Sequence, residues 1–233
     1  MSDSKKISII IPTYDEKENI EKLIKKIFDL RIKNLDVIVI DDNSLDGTGE
    51  IVDQLSKTLP IQVIHRTGKL GLSSAVIEGY KKSYAEIIII MDADFSHDYK
   101  IIPQMIRVIG QENYDMAIGS RYIKGGGIKN WPFKRKLASL TATWIAKIFL
   151  GIKVKDPMSG FFAVKREVFG RIVDKLKPRG YKILLEMLVR AKPLKIKEIP
   201  YTFKDREFGQ SKFDSKIVKE YLKMVWELRK IKG

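Results

Sequence analysis

Cysteine is absent from the 233 residues. That removes disulfides, thiolate zinc sites and cysteine nucleophiles together. Histidine is almost as scarce, with only His65 and His97, so a His-rich metal site and most histidine-base chemistry are disfavoured. No run of about 18 or more apolar residues occurs, so no segment is expected to span a bilayer. The nearest approach, Leu137 to Ile152, is broken by Lys147 and several hydroxyls. The N-terminal MSDSKK is polar and runs straight into an apolar stretch, without the layout of a signal peptide. A soluble, cytoplasmic protein is the expectation. Familiar phosphate loops are missing too. There is no G-x-x-x-x-G-K-[ST], and Gly47-Thr48-Gly49 lacks the third glycine of a dinucleotide fingerprint. The Gly125-Gly126-Gly127 run opens no obvious helix and reads as a flexible loop, with a structural turn as the alternative.

What is present is positive charge on a chain able to fold. Lys and Arg number 44 against 29 Asp and Glu, a formal net charge of +15, and 44% of the residues are hydrophobic. Such an excess suits an anionic partner: nucleic acid, a phosphorylated ligand or the negative face of a membrane.

Strand followed by helix recurs along the chain. Ile7 to Ile11 is a continuous β-branched run ended by Pro12, and Ile20, Leu23, Ile24, Ile27 and Phe28 mark one face of a helix. Leu35 to Ile40, Ile61 to Ile64 and Ile87 to Met91 read as further strands, with helices over about 48–57 and 71–84 between them. Strands that are apolar throughout belong to sheets covered on both faces, hence a mostly parallel α/β architecture. Residues 1–119 read as a nucleotide-binding half. Beyond about 120 the chain is less regular and more basic, with strands near 161–165 and 196–203 and a long helix near 214–231.

In open α/β sheets, ligands bind outside the carboxyl ends of the strands. Polar clusters stand at such ends: Thr13-Tyr14-Asp15-Glu16, Asp41-Asp42-Asn43-Ser44 and Asp92-Ala93-Asp94. Acids there also serve as turn formers and helix N-caps, and for Asp41 or Asn43 alone that alternative stays open. Asp92 and Asp94 follow an isoleucine strand, and alternate residues at a frayed strand end can aim two carboxylates at one point. Oxygen ligands without His or Cys suit Mg2+ or Mn2+ shared with a diphosphate, rather than zinc. With no nest of glycine amides, phosphate charge must be met by metal and by Arg or Lys.

The segments IIIPTYDEKENI, VIVIDDNSLDGT, MDADFSHD and GSRYIKGGG resemble the inverting family-2 glycosyltransferases. WPFKRKLAS, DPMSGFFAVKREVF, GYKILLEMLVRA and IPYTFKDREFGQSK resemble, in order and spacing, dolichyl-phosphate mannose synthases (polyprenyl-phosphate mannosyltransferases). The likeness covers about residues 7–226. It implies a GT-A, Rossmann-like, three-layer α/β/α fold with C-terminal amphipathic helices, and a single catalytic domain over 1–233. Residues 1–119 would take the nucleotide sugar, 120–212 the acceptor, and 213–233 would form a basic amphipathic helix.

The resemblance implies residue roles as well. Pro12, Tyr14, Glu16, Ile40 and Asp42 match the nucleotide site, together with Asp92, Ala93 and Asp94. Asp92, Asp94 and Ser96 match the metal site, Ser96 standing where some relatives have Gln. Arg121, Arg135 and Ser139 match positions near the acceptor phosphate. Arg206 and Lys212 match a mobile loop over the donor phosphates, and Asp94 and Arg206 are the expected catalytic residues. Asp15 replaces a usual Asn, and Asn43 a usual Gly. Asp156 is a candidate organiser of the acceptor side, with a turn-capping role as the alternative, and Glu186 reads as a core cap or ion-pair partner.

The implied reaction moves mannose from GDP-mannose to dolichyl phosphate with inversion. Glucose from UDP-glucose to the same lipid is an alternative donor reading, and a basic nucleic-acid-binding module is the alternative from another class. A lipid acceptor implies peripheral contact with an anionic membrane on its cytoplasmic face, with a membrane-anchoring partner subunit or a membrane portion outside this sequence as further implications. Two apolar stripes suit such contact, with packing on the core as the alternative: Leu137, Leu140, Trp144, Ile145, Ile148 and Phe149; then Ile217, Tyr221, Met224, Val225 and Leu228 beside several lysines.

Overall fold

The isoleucine runs do what their composition demands and become strands buried on both faces. The computed structural model describes residues 5–177, 182–205 and 215–232. Strand β1 (Ile7–Thr13) leads to helix α1 (Lys17–Phe28), then β2 (Leu35–Asp41), α2 (Thr48–Ser56), β3 (Ile61–His65), α3 (Leu72–Lys82) and β4 (Ile87–Ile90). The chain continues through α4 (Ile102–Gly110), β5 (Met116–Ser120), β6 (Gly127–Lys129), α5 (Phe133–Leu150), β7 (Phe162–Lys165) and α6 (Arg166–Gly170). It finishes with α7 (Ile183–Arg190), β8 (Ile196–Pro200), β9 (Thr202–Lys204) and α8 (Ser215–Lys232).

A seven-stranded sheet has the order β3-β2-β1-β4-β7-β5-β8. Its neighbours are parallel except where β7 runs antiparallel between β4 and β5. β7 and β8, from the second half of the chain, thus share the sheet of the first. The order turns back between β1 and β4, a topological switch point that opens a crevice at the strands' carboxyl ends. Ile7, Ile9 and Ile11 pack under α1, α2 and α4 on one face. Ile10, Ile38 and Ile40 pack on the other face with α3, α5, α6, α7 and α8. Burying each such side chain stabilises the fold by about 1.5–3 kcal/mol relative to exposure, which explains why propensity and packing agree here.

Three expectations need amending. The strand expected over 196–203 is two strands: β8 ends at Pro200, and β9 pairs in parallel with β6 in a separate two-stranded sheet. The glycine run is a tight turn rather than a flexible loop. A Cβ on Gly126 would lie 2.6 Å from the Ser120 carbonyl oxygen, and Gly127 already opens β6. The α8 stripe named above faces inward. Val225 and Leu228 are core, and Tyr221 and Met224 pack against it, while the Tyr221 hydroxyl donates to the Ala142 carbonyl of α5. The side chain of Ile217 lies outside the described residues. The helix carries a second apolar face, of Val218, Leu222 and Trp226, and this is the exposed one. On α5 the expected stripe is exposed except Ile145, which packs against the core.

Candidate active site

The first two strands end in loops that are tied to each other. Register sets Thr13 opposite Asp41, and the Thr13 hydroxyl donates to the Asp41 carboxylate at 2.9 Å. Asp41 also accepts from the Ser44 amide and hydroxyl, so it is the turn former that the alternative reading allowed. Asp15 and Asn43 have φ of +56° and +60°. These are left-handed conformations that Asp, Asn and Gly tolerate best, which accounts for the interchange among those residue types. Asp15 bridges the loops, its amide donating to the Ser44 hydroxyl and its carboxylate accepting from the Leu45 amide.

Beside this frame lie the residues expected to meet a nucleotide. Tyr14 is partly exposed, and the Lys69 ammonium sits 3.4 Å from its ring centroid. Glu16 precedes α1, with its amide donating to Thr48 and its carboxylate accepting from Asn19. Pro12 is half-buried. Asp42 is buried and held from two sides, by a guanidinium nitrogen of Arg66 at 2.6 Å and the Gly71 amide at 2.8 Å. Ile40 and Ala93 are buried in the core, so their side chains shape the sheet edge rather than line the crevice.

At the end of β4 the paired acids differ in setting. Asp94 is buried and accepts from the Ser96 amide at 3.0 Å, whereas the Asp92 side chain is about 29% exposed. His97 supports them. Its Nδ1 accepts from the Asp92 amide at 3.0 Å, and its Nε2 lies 3.7 Å from the Asp92 carboxylate. The ring stacks on Phe161. Burial lowers the His97 pKa, against the pull of Asp92 and Asp94, so the imidazole is neutral at pH 7. Gly160 leaves room for it: a Cβ there would come within 3.2 Å of the His97 ring and 3.5 Å of the Asp92 carboxylate.

Among the described residues no three His, Cys, Asp or Glu side chains gather as metal ligands. The acid pair nonetheless fits a hard divalent cation, which takes oxygen ligands and fills its remaining positions with water and phosphate. Among the described residues the buried Ser96 hydroxyl has no hydrogen-bond partner, and an oxygen two residues beyond Asp94 suits that shell.

The cationic side of the crevice starts where β5 ends. Arg121 is buried, and its Nε and one terminal nitrogen each donate to Asp156 at 2.8 Å. Burial opposes the charge on Arg121, but the hydrogen bonds and charge of Asp156 outweigh it and raise the pKa. Trp131, Phe203 and Tyr122 surround the guanidinium. Arg135, in the first turn of α5, pairs with Asp205 at 2.7 Å and lies over Trp131. Ser139, one turn on, accepts from the Tyr122 hydroxyl. Arg206 and Lys212 lie outside the described residues.

The acid pair and the Arg121–Asp156 pair all act electrostatically on His97, and the Phe203 ring lies near both His97 and Arg121, so the two sides are neighbours. Sequence reasoning missed several residues there. His97 sits in the MDADFSHD segment, and its spacing from Asp92 was a usable signal. Glu198 of β8 accepts the amides of Lys155 and Asp156 and so fixes the Asp156 loop; nothing in the sequence announced that long-range contact. Arg66 and Lys182 were hidden among 44 basic residues. Glu186 accepts from the Lys177 amide and from Arg190, as a core cap does.

Comparison with known proteins bears on this geometry. The family model described as "Glycosyl transferase family 2" matches residues 8–173. A dolichol-phosphate mannosyltransferase of Pyrococcus furiosus is 45% identical over 98% of the chain, and the chain spans 65% of that protein's length. A polyprenol monophosphomannose synthase of Mycolicibacterium smegmatis is 33% identical, over 95% of the chain and 86% of that protein. Among solved structures, glucosyl-3-phosphoglycerate synthase of Mycobacterium tuberculosis with Mn2+, UDP and phosphoglyceric acid superposes with TM-score 0.73 at 17% identity, covering 97% of this chain and 78% of that one. A mannosyltransferase of Pyrobaculum calidifontis with GDP-Man and Mn2+ gives TM-score 0.65 at 17% identity, covering 90% of this chain and 59% of that one. Likenesses at this identity speak for the fold alone.

Proposed function

The chain belongs to glycosyl transferase family 2, and on that premise we propose that it transfers mannose from GDP-mannose to a polyprenyl (dolichyl) phosphate, with inversion at the anomeric carbon. The observation that carries this reading is the meeting, around His97, of an acid pair suited to a metal diphosphate and a buried arginine, with Arg135 over the same Trp131 ring that Arg121 approaches. Two phosphorylated molecules find complementary charge in one crevice.

The acceptor simplifies the chemistry. A phosphate monoester has its second pKa near about 6, so at neutral pH its oxygen is already the nucleophile and no protein base has to remove a proton. The bond formed is phosphate oxygen to the anomeric carbon. The bond broken joins that carbon to the diphosphate, which departs with the electron pair as GDP. Mg2+ or Mn2+ held by Asp92 and Asp94, with Ser96 at its edge, would supply charge neutralisation for the departing diphosphate. Arg121 and Arg135, with Ser139, would hold the acceptor phosphate in line, catalysis resting on positioning and fixed charge. Neutral His97 would keep Asp92 in place without competing for its charge. Arg206 and Lys212 complete the donor side by resemblance alone.

A lipid acceptor brings the apolar faces into the reading. Among the described residues no helix is long and apolar enough to cross a membrane. Helix α5 carries Arg135 in its first turn and goes on to expose Trp144 and Ile148, and α8 beside it exposes Leu222 and Trp226. A phosphate held at the start of α5 would thus have its hydrocarbon led along a surface of the same polarity. Basic side chains flank both faces, and each adds about 1 kcal/mol near anionic lipid. The occupant proposed for this surface is an anionic membrane.

The test is a donor panel: GDP-mannose or UDP-glucose with Mg2+ or Mn2+ and a short polyprenyl phosphate, scored for lipid-linked sugar. Mannolipid from GDP-mannose is expected. Reaction with UDP-glucose alone, or no lipid-linked product, overturns the proposal.

A further inference from the structure

Lys182 occupies an unusual position for a lysine. It immediately precedes α7, whose residues Ile183 to Val189 are all buried, so its backbone is fixed by the core. Its side chain is half-buried and acts electrostatically on Arg121, Asp156, Asp92 and Arg135. Two of those four are cations. Of the two acids, Asp156 engages Arg121 through both oxygens, and Asp92 lies against His97 in the acid pair assigned to the metal. Among the described residues the Lys182 ammonium makes no hydrogen bond or ion pair.

A half-enclosed cation beside two other cations raises the energy of the empty site. Such an arrangement becomes favourable when a dianion enters, because the ammonium has three donors to offer and a phosphate has oxygens to accept them. We infer that Lys182 is a third cationic ligand of the acceptor phosphate, alongside Arg121 and Arg135. The inference rests on the proposed assignment of those arginines to the acceptor. Burial and the neighbouring Arg121 lower its pKa to about 8, so the ammonium is largely charged at neutral pH and a bound phosphate would raise its proton affinity again.

The test uses the full chain with Lys182→Met and Lys182→Arg. Direct binding of a short polyprenyl phosphate is measured by calorimetry beside binding of GDP-mannose with Mn2+, followed by steady-state transfer. Loss of one charge-assisted contact predicts acceptor Kd and KM raised about tenfold or more in Lys182→Met, with the donor Kd changed by less than about twofold. Lys182→Arg should restore most of the acceptor affinity. Acceptor KM in the wild type should climb as pH passes about 8, and the climb should move upward in Lys182→Arg and vanish in Lys182→Met. Unchanged acceptor binding in Lys182→Met overturns the inference. So does a loss confined to GDP-mannose, or an equal loss of both ligands with a lowered Tm in both variants. If the wild type binds the acceptor phosphate yet transfers no mannose, the transfer reading fails while the binding comparison still judges Lys182.

Discussion

Arg121 and Asp156 form a bidentate pair in which both guanidinium contacts measure 2.8 Å and the Arg121 amide adds a third, at 3.0 Å, to the same carboxylate. Asp156 is fully buried, so its charge is tolerated only because Arg121 and these donors surround it. The pair fixes the guanidinium plane and leaves one terminal nitrogen outside the fork. Arg121 therefore reaches the crevice pre-oriented, as a bidentate arginine can and a lysine cannot.

Removing one partner of such a pair strands the other. Asp156→Asn keeps the shape but loses the charge, and should destabilise the fold by about 3–5 kcal/mol. Urea unfolding monitored by circular dichroism measures it. A change below about 1 kcal/mol would mean that Arg121 finds solvent or another anion instead.

Asp94 and Ser96 should separate cleanly. Asp94→Asn removes a charged ligand and should lower transfer by about a hundredfold or more, since charge stabilisation of a leaving group typically contributes about 2.7–4 kcal/mol. Ser96→Ala removes a hydroxyl that has no partner among the described residues, so stability should hold while Mn2+-dependent GDP binding weakens. Calorimetry with and without Mn2+ checks both. Wild-type Mn2+ dependence in Asp94→Asn would refute the metal assignment.

Legibility in the sequence followed the range of the interactions. The parallel core could be read because Ile7 to Ile11 and Ile87 to Met91 declare burial on both faces locally. The position of Asp92 and Asp94 at a strand end could be read for the same reason. What stayed hidden depended on relations across the chain: β7 slipping antiparallel between β4 and β5, Glu198 fastening the Asp156 loop, and Lys182 coming within the electrostatic reach of Arg121. Helix α8 shows a different obstacle. It is apolar on two faces, and periodicity alone does not say which one meets the core.

Asp46 links the opening loops, accepting from the Lys17 amide on one side and from the Thr48 amide and hydroxyl on the other. Burial pushes its pKa up, but these hydrogen bonds together outweigh it and hold the pKa below the ordinary value. A depressed carboxylate pKa contributes stability above the unfolded value of about 3.9 and loses it as pH falls through the folded one. Stability should therefore decline below about pH 4 with a slope that Asp46→Ala reduces, at a cost of about 1 kcal/mol at neutral pH. Equilibrium unfolding from pH 3 to 7 measures it, and identical slopes in the two proteins would remove Asp46 from the acid response.

The exposed faces of α5 and α8 make the membrane reading quantitative. Trp144 is 62% exposed and Trp226 is 59% exposed, although tryptophan is highly buried on average. Each can insert its ring at the level of lipid headgroups, where indole is favoured. Trp144→Asp with Trp226→Asp would set a charge at both points and disturb no core contact, so Tm should stay within about 2 °C of wild type. Sedimentation with vesicles containing anionic lipid should fall about tenfold or more. Transfer to a short, water-soluble polyprenyl phosphate should be unaffected, while transfer to a long-chain acceptor in vesicles should fall with binding. Full vesicle binding by the double variant would show that these faces are covered by something other than lipid.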